Sequence, residues 1–153
     1  MIEEKLEKLG LSIPDPAKPL AAYIPAIQVN DLIITAGQVP VVSGIIKYTG
    51  KVGKDLNESE AQKAAEICVL NCLAAVKGII KDLDKIERIL KLTVFVNSAD
   101  GFTAQPAVAN GASELLVKIF GEKGKHARSA VGVSELPMDA SVEVEMMVQV
   151  VLS

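Results

Sequence analysis

From Ser141 to Leu152 the chain alternates with a strict two-residue period. Val142, Val144, Met146, Val148, Val150 and Leu152 fall on one side; Glu143, Glu145, Met147, Gln149 and Val151 fall on the other. Period two belongs to a β-strand, whose successive side chains point to opposite faces of a sheet. A wholly aliphatic face requires a second layer to cover it. The other face is polar at its start and apolar at Met147 and Val151, a mixture suited to an interface between copies that contains a site.

The covering layer is legible too. Ala61, Ala64, Ala65, Cys68, Cys72, Ala75, Val76 and Ile79 recur at three and four, predicting one helix to about Leu83. Asn57 and Glu60 have the spacing of a capping box at its start. Cys68 and Cys72 share a helix face and are expected to pack as small hydrophobes rather than pair. A second helix is predicted over Gln105–Phe120, with Pro106 in its first turn and Gly121 ending it. The remaining strands are Tyr23–Val29 and Leu32–Ala36 about an Asn30-Asp31 turn, a weaker one over Gly44–Tyr48, then Glu87–Asn97 and Ala127–Val133. In Glu87–Asn97 the pattern puts Leu90, Leu92, Val94 and Val96 on one face and Ile89, Lys91, Thr93 and Phe95 on the other.

A short helix over residues 2–9, stopped by Gly10, and a connector marked by Pro14, Pro16 and Pro19 precede all of this. The order β-β-β-α-β-α-β-β implies an α+β two-layer sandwich, a mixed sheet with both helices on one face. At 153 residues one domain is expected, with residues 1–19 as helix and connector and 20–152 as core.

Half the residues are hydrophobic but only 3% are aromatic, so the core must be Val, Ile, Leu and Ala, and the aliphatic surplus favours an oligomer. A net charge of −3, no basic cluster and no Trp argue against nucleic-acid binding. No apolar run reaches the length of a membrane span, and the charged Met1–Lys5 start lacks the apolar core of a signal peptide, so a cytoplasmic location is expected. With one His, His126, and no Cys/His cluster, no metal site is expected.

Arg128 is one of only two arginines, the other being Arg88. It lies in the Ala127–Val133 strand, which Leu136-Pro137 should join by a short turn to the strand carrying Glu143 and Glu145. Arginine grips a carboxylate through two parallel hydrogen bonds, and a nearby glutamate can activate water. The pairing points to a small anionic substrate and a hydrolytic step. Glu145 shares a face with Glu143 and could exchange roles with it, and His126 is a candidate general acid.

The segments Leu32–Pro40 (LIITAGQVP), Leu92–Val96 (LTVFV) and Ala127–Glu145 (ARSAVGVSELPMDASVEVE), in this order and spacing, resemble the RidA/YjgF family of reactive intermediate deaminases over roughly residues 20–152. That resemblance implies a chorismate-mutase-like fold and a homotrimer with three sites at subunit interfaces. It also implies hydrolysis of 2-imino acids or their enamine tautomers to 2-oxo acids and ammonia, with no cofactor or metal. By the same resemblance Arg128 matches the substrate-carboxylate clamp, and Glu143 the residue that positions water. The Ala130 backbone would lie beside the imine, Tyr23 would line the pocket from a neighbouring subunit, and Gly37 would let backbone approach the ligand. The helix asparagine that lines the family pocket has Asn110 as its candidate here and Ser113 as the alternative, within an Asn110-Gly111-Ala112-Ser113 insertion. Ala36 stands where many members carry Ser or Thr. Gly111 and Asn110 could instead shape a helix bend.

Competing functions are a non-catalytic binder of small carboxylates and, against the acidic charge balance, an endoribonuclease or translation inhibitor. A chorismate mutase would have to neutralise a dicarboxylate with only Arg88 and Arg128.

Overall fold

The computed structural model describes residues 1–16, 18 and 22–152; Pro19 of the expected connector, and with it the expected boundary at 19/20, lies outside the described residues. Helix α1 (Ile2–Lys8) stops as the sequence predicts. Gly10 takes φ +69°, and the Gly10 and Leu11 amides donate to the carbonyls of Glu7 and Leu6, a Schellman close that satisfies the last turn.

Strands β1 (Ala26–Val29), β2 (Leu32–Thr35), β5 (Ile86–Asn97), β6 (Ala127–Val133) and β7 (Val142–Val150) form one sheet in the order β1-β2-β7-β5-β6, antiparallel except for β5 with β6. Helices α2 (Glu58–Ile80) and α3 (Gln105–Phe120) supply the second layer, α2 over β7 and β2, α3 over β5 and β6. The β7 residues Val142, Val144, Met146, Val148 and Val150 are all buried beneath them, as the alternation requires, whereas Leu152 lies past the strand end and is exposed.

Helix α2 begins with the predicted capping box: Asn57 Oδ1 accepts from the Glu60 amide, and Glu60 Oε2 accepts from the Asn57 amide, each at 2.9 Å. It ends at Ile80, three residues short of the expected Leu83. Lys81 turns left-handed at φ +66°, and Asp82 caps a 3-10 turn over Leu83–Lys85 that drives Leu83 into the core by a separate route.

The expected Gly44–Tyr48 strand does not join the sheet. Ser43 and Gly44, both at positive φ, instead close a separate hairpin of β3 (Val41–Val42) and β4 (Ile45–Ile46). Asn71 of α2 ties this hairpin down, donating from Nδ2 to the carbonyls of Val39 and Val41. In β5 the register slips between Ile86 and Arg88 and again between Ile89 and Lys91. Ile89 therefore joins Leu92, Val94 and Val96 in the core while Leu90 turns outward, reversing the faces expected for those two residues.

Candidate functional site

Strands β6 and β7 are consecutive but not neighbours, because β5 lies between them. Arg128 pairs with Leu92, which pairs with Met146; Glu143 pairs with Phe95, which pairs with Val131. Directly paired residues share a face. Arg128 is thus on the helix face and Glu143 on the open one. They are also separated by two strands, about 10 Å, and offset by three residues, about another 10 Å, along the strand direction. The expectation that a short turn would set them side by side is corrected: within one chain they belong to two separate clusters.

The first cluster is built on the edge strand β6 and helix α3. Asn110 and Ser113, three apart on α3, face Arg128. Arg128 Nη1 donates to Asn110 Oδ1 at 2.8 Å and to Ser113 Oγ at 3.2 Å. Both hydrogens of Nη1 are thereby committed. The Nε and Nη2 hydrogens, which form the side-on edge of the guanidinium, have no hydrogen-bond partner among the described residues, and no carboxylate there pairs with Arg128. That edge is the geometry for bidentate capture of a carboxylate. Ala130, two residues on, packs on the core from the same face. Asn110 and Ser113 both reach Arg128, because one helical turn brings each to the same nitrogen.

The second cluster sets Gly37 against Glu143, while Tyr23 shares only a cleft with Gly37, one that Glu143 does not line. Between the pairs Ile34 with Met147 and Gln38 with Val144, the outer chain has one residue more than β7. The Thr35 hydroxyl fills the gap, accepting from the Met146 amide at 3.0 Å. The displaced backbone carries Gly37 against Glu143: a Cβ at position 37 would lie 2.9 Å from the Glu143 Cδ. Burial, and then the Glu145 charge, push the half-buried Glu143 carboxyl above its ordinary range. Tyr23 is largely exposed and lines, with Gly37, Gln38 and Asn71, a cleft of about 850 Å³ between the connector, α2 and the β3–β4 hairpin. Arg128 does not line that cleft.

Beneath β7 the two cysteines are free and fully buried. Their thiols reach the carbonyls of Val142 (Cys68, 3.5 Å) and Val144 (Cys72, 3.3 Å), on either side of Glu143. Burial pushes the Cys72 thiol up to about 12 and the Cys68 thiol well above its usual value, so both remain protonated donors. Sequence patterning does not single out Thr35; its only signal is a hydroxyl inside the apolar run Leu32–Ala36. Because that hydroxyl is buried, it does not replace the one missing at Ala36.

Residues 3–150 match the family model described as "YjgF/chorismate_mutase-like, putative endoribonuclease". Protein TCP17 of Trypanosoma cruzi is 40% identical over 97% of this chain and 93% of its own length. The 2-iminobutanoate/2-iminopropanoate deaminase of Salmonella typhimurium is 30% identical over 82% of this chain and 85% of its own. Among solved structures, protein Atu1372 of Agrobacterium tumefaciens superposes with a TM-score of 0.92 at 44% identity, covering 98% of this chain and 92% of that one. The chain belongs to the RidA/YjgF family. Its α+β sandwich is the family's chorismate-mutase-like fold. Among the described residues of this RidA/YjgF member, no helix is long and apolar enough to cross a membrane.

Gly111 has a role other than a helix bend. A Cβ there would lie 2.8 Å from the Gln62 Cα of α2, so the glycine lets the two helices touch backbone to backbone. The Gln62 side chain donates to the Ala107 carbonyl at 2.8 Å and fixes the same crossing. That crossing sets where Asn110 and Ser113 meet β6.

Proposed function

We propose that this chain hydrolyses 2-imino acids, or their enamine tautomers, to 2-oxo acids and ammonia without a cofactor. The site would form where the Arg128 cluster of one copy meets the Glu143 cluster of another. The observation that carries this reading is the half-buried Arg128, anchored through one nitrogen and presenting an unpaired side-on edge with no acidic partner among the described residues. Relatives named as 2-iminobutanoate/2-iminopropanoate deaminases support the substrate class.

In the proposed reaction Arg128 holds the substrate carboxylate and Glu143, ionised, accepts a proton from water as the oxygen adds to the iminium carbon. Glu143 returns that proton to the amine of the resulting carbinolamine. The hydroxyl proton then passes to Glu143 as the C=O bond forms, the C–N bond breaks and ammonia leaves, and Glu143 gives up its proton to solvent or to the departing ammonia. A protonated imine is already electrophilic, so orientation supplies most of what the protein must add.

Two observations support assembly from copies of this chain. The two clusters lie on opposite faces of one sheet, and the open face exposes Ile27, Val29, Ile34 and Val131. A homotrimer would cover that face and complete three sites.

The test is ammonia release from 2-iminobutanoate generated in the assay. Arg128→Ala should lose about 2–4 kcal/mol in kcat/KM, the cost of an unmade charged hydrogen-bond pair. Full activity in that variant would reject the reading. Stabilisation by 2-oxobutanoate with no ammonia released would make the protein a carboxylate binder.

A further inference from the structure

The imidazole of His126, two residues before Arg128, is tied at both ends. Its Nδ1 lies 2.7 Å from the Gly124 carbonyl and its Nε2 lies 2.9 Å from Ser113 Oγ. A carbonyl only accepts, so Nδ1 must carry the hydrogen. In the neutral ring Nε2 is then an acceptor, and the Ser113 hydroxyl must donate to it. That donation turns the Ser113 lone pairs toward Arg128, whose Nη1 donates to the same oxygen. Asn110 completes the arrangement, since only its Oδ1 can receive the second Nη1 hydrogen. Gly124 is itself fixed: a Cβ there would lie 2.8 Å from the Leu116 carbonyl carbon of α3, so its turn sits directly on the helix.

From this directional chain we infer that His126 and Ser113 are positioning residues that set the orientation of the Arg128 guanidinium. Gly124 C=O selects the tautomer, His126 selects the Ser113 rotamer, and Ser113 with Asn110 pins Nη1. The Nε/Nη2 edge is left facing the ligand. His126 thereby works through Arg128 rather than as the general acid its ring chemistry would permit. The inference rests on the proposed carboxylate-binding role of Arg128.

The test uses 2-oxobutanoate binding by calorimetry, with imine turnover measured alongside. His126→Ala and Ser113→Ala should each weaken binding roughly three- to tenfold, the scale of one positioning hydrogen bond, and raise KM with kcat nearly unchanged. In the Arg128→Ala background His126→Ala should cost nothing further. If Arg128→Ala loses binding and the other two do not, or if the losses simply add, the relay is overturned and the carboxylate reading stands. Unchanged binding in Arg128→Ala overturns both. Should the variants unfold, nitrogen NMR of the wild-type ring decides: neutral His126 must be the Nδ1–H tautomer, and an Nε2–H tautomer excludes the relay.

Discussion

Gly37 and Glu143 show how much of this site depends on an absent side chain. Gly37→Ala would push a methyl into the Glu143 carboxylate. The carboxylate is the mobile end of its side chain and can swing aside, so the melting temperature should barely move. Imine turnover should fall roughly ten- to hundredfold, because water positioning tolerates little displacement. Equal turnover in the two proteins would mean that Glu143 does not act where it lies.

Glu143 also makes a pH prediction. Its carboxyl is raised in the folded chain, by burial first and Glu145 second. The folded state therefore holds this proton to higher pH than the unfolded chain does. The stability attached to it is complete below the ordinary carboxylate value and is lost as pH rises through the raised one. Melting curves should show wild type losing stability relative to Glu143→Gln across that window. If ionised Glu143 is the base, kcat/KM should have an acid limb above the ordinary carboxylate range, absent in the residual activity of Glu143→Gln.

At the scale of elements, the decisive features are places where regular periodicity breaks. The extra residue between β2 and β7, bridged by Thr35, carries Gly37 to Glu143. The α2–α3 crossing at Gly111 sets where Asn110 and Ser113 meet β6. Gly111→Ala would gain about 1 kcal/mol in helix propensity. It would also force a Cβ onto the Gln62 backbone, which cannot yield as a side-chain tip can. Overpacking of this kind costs about 1–3 kcal/mol, so thermal unfolding should show a net loss; a more stable variant would disprove the close crossing. The element types themselves were readable in the sequence: the capping box at Asn57, the stop at Gly10 and the alternation of β7 are local signals with local causes. The exchange of Ile89 with Leu90 was not, because a bulge is decided by the partner strand.

At the scale of the molecule, one sheet face is covered by helices and the other presents Ile27, Val29, Ile34 and Val131 to solvent. If copies of this chain meet there, a charge placed on that face must break the assembly. Ile34→Glu should sediment as a folded monomer, keep its helical circular dichroism and lose imine turnover even though no residue of either cluster has changed. Turnover by that monomer would show that one chain builds a complete site, contrary to the arrangement proposed.

What the sequence alone determined about this protein is what depends on neighbours along the chain: the long strands and helices, the aliphatic face of β7, and that Arg128 and Glu143 lie in regular strands of a RidA/YjgF chain. Only the tertiary structure decided that β5 comes between β6 and β7, and so that arginine and glutamate face opposite ways. Hydrophobic period fixes which way a side chain points relative to its own strand, whereas strand order depends on which edges pair across long loops. That choice is made by packing between distant segments, and no local pattern encodes it.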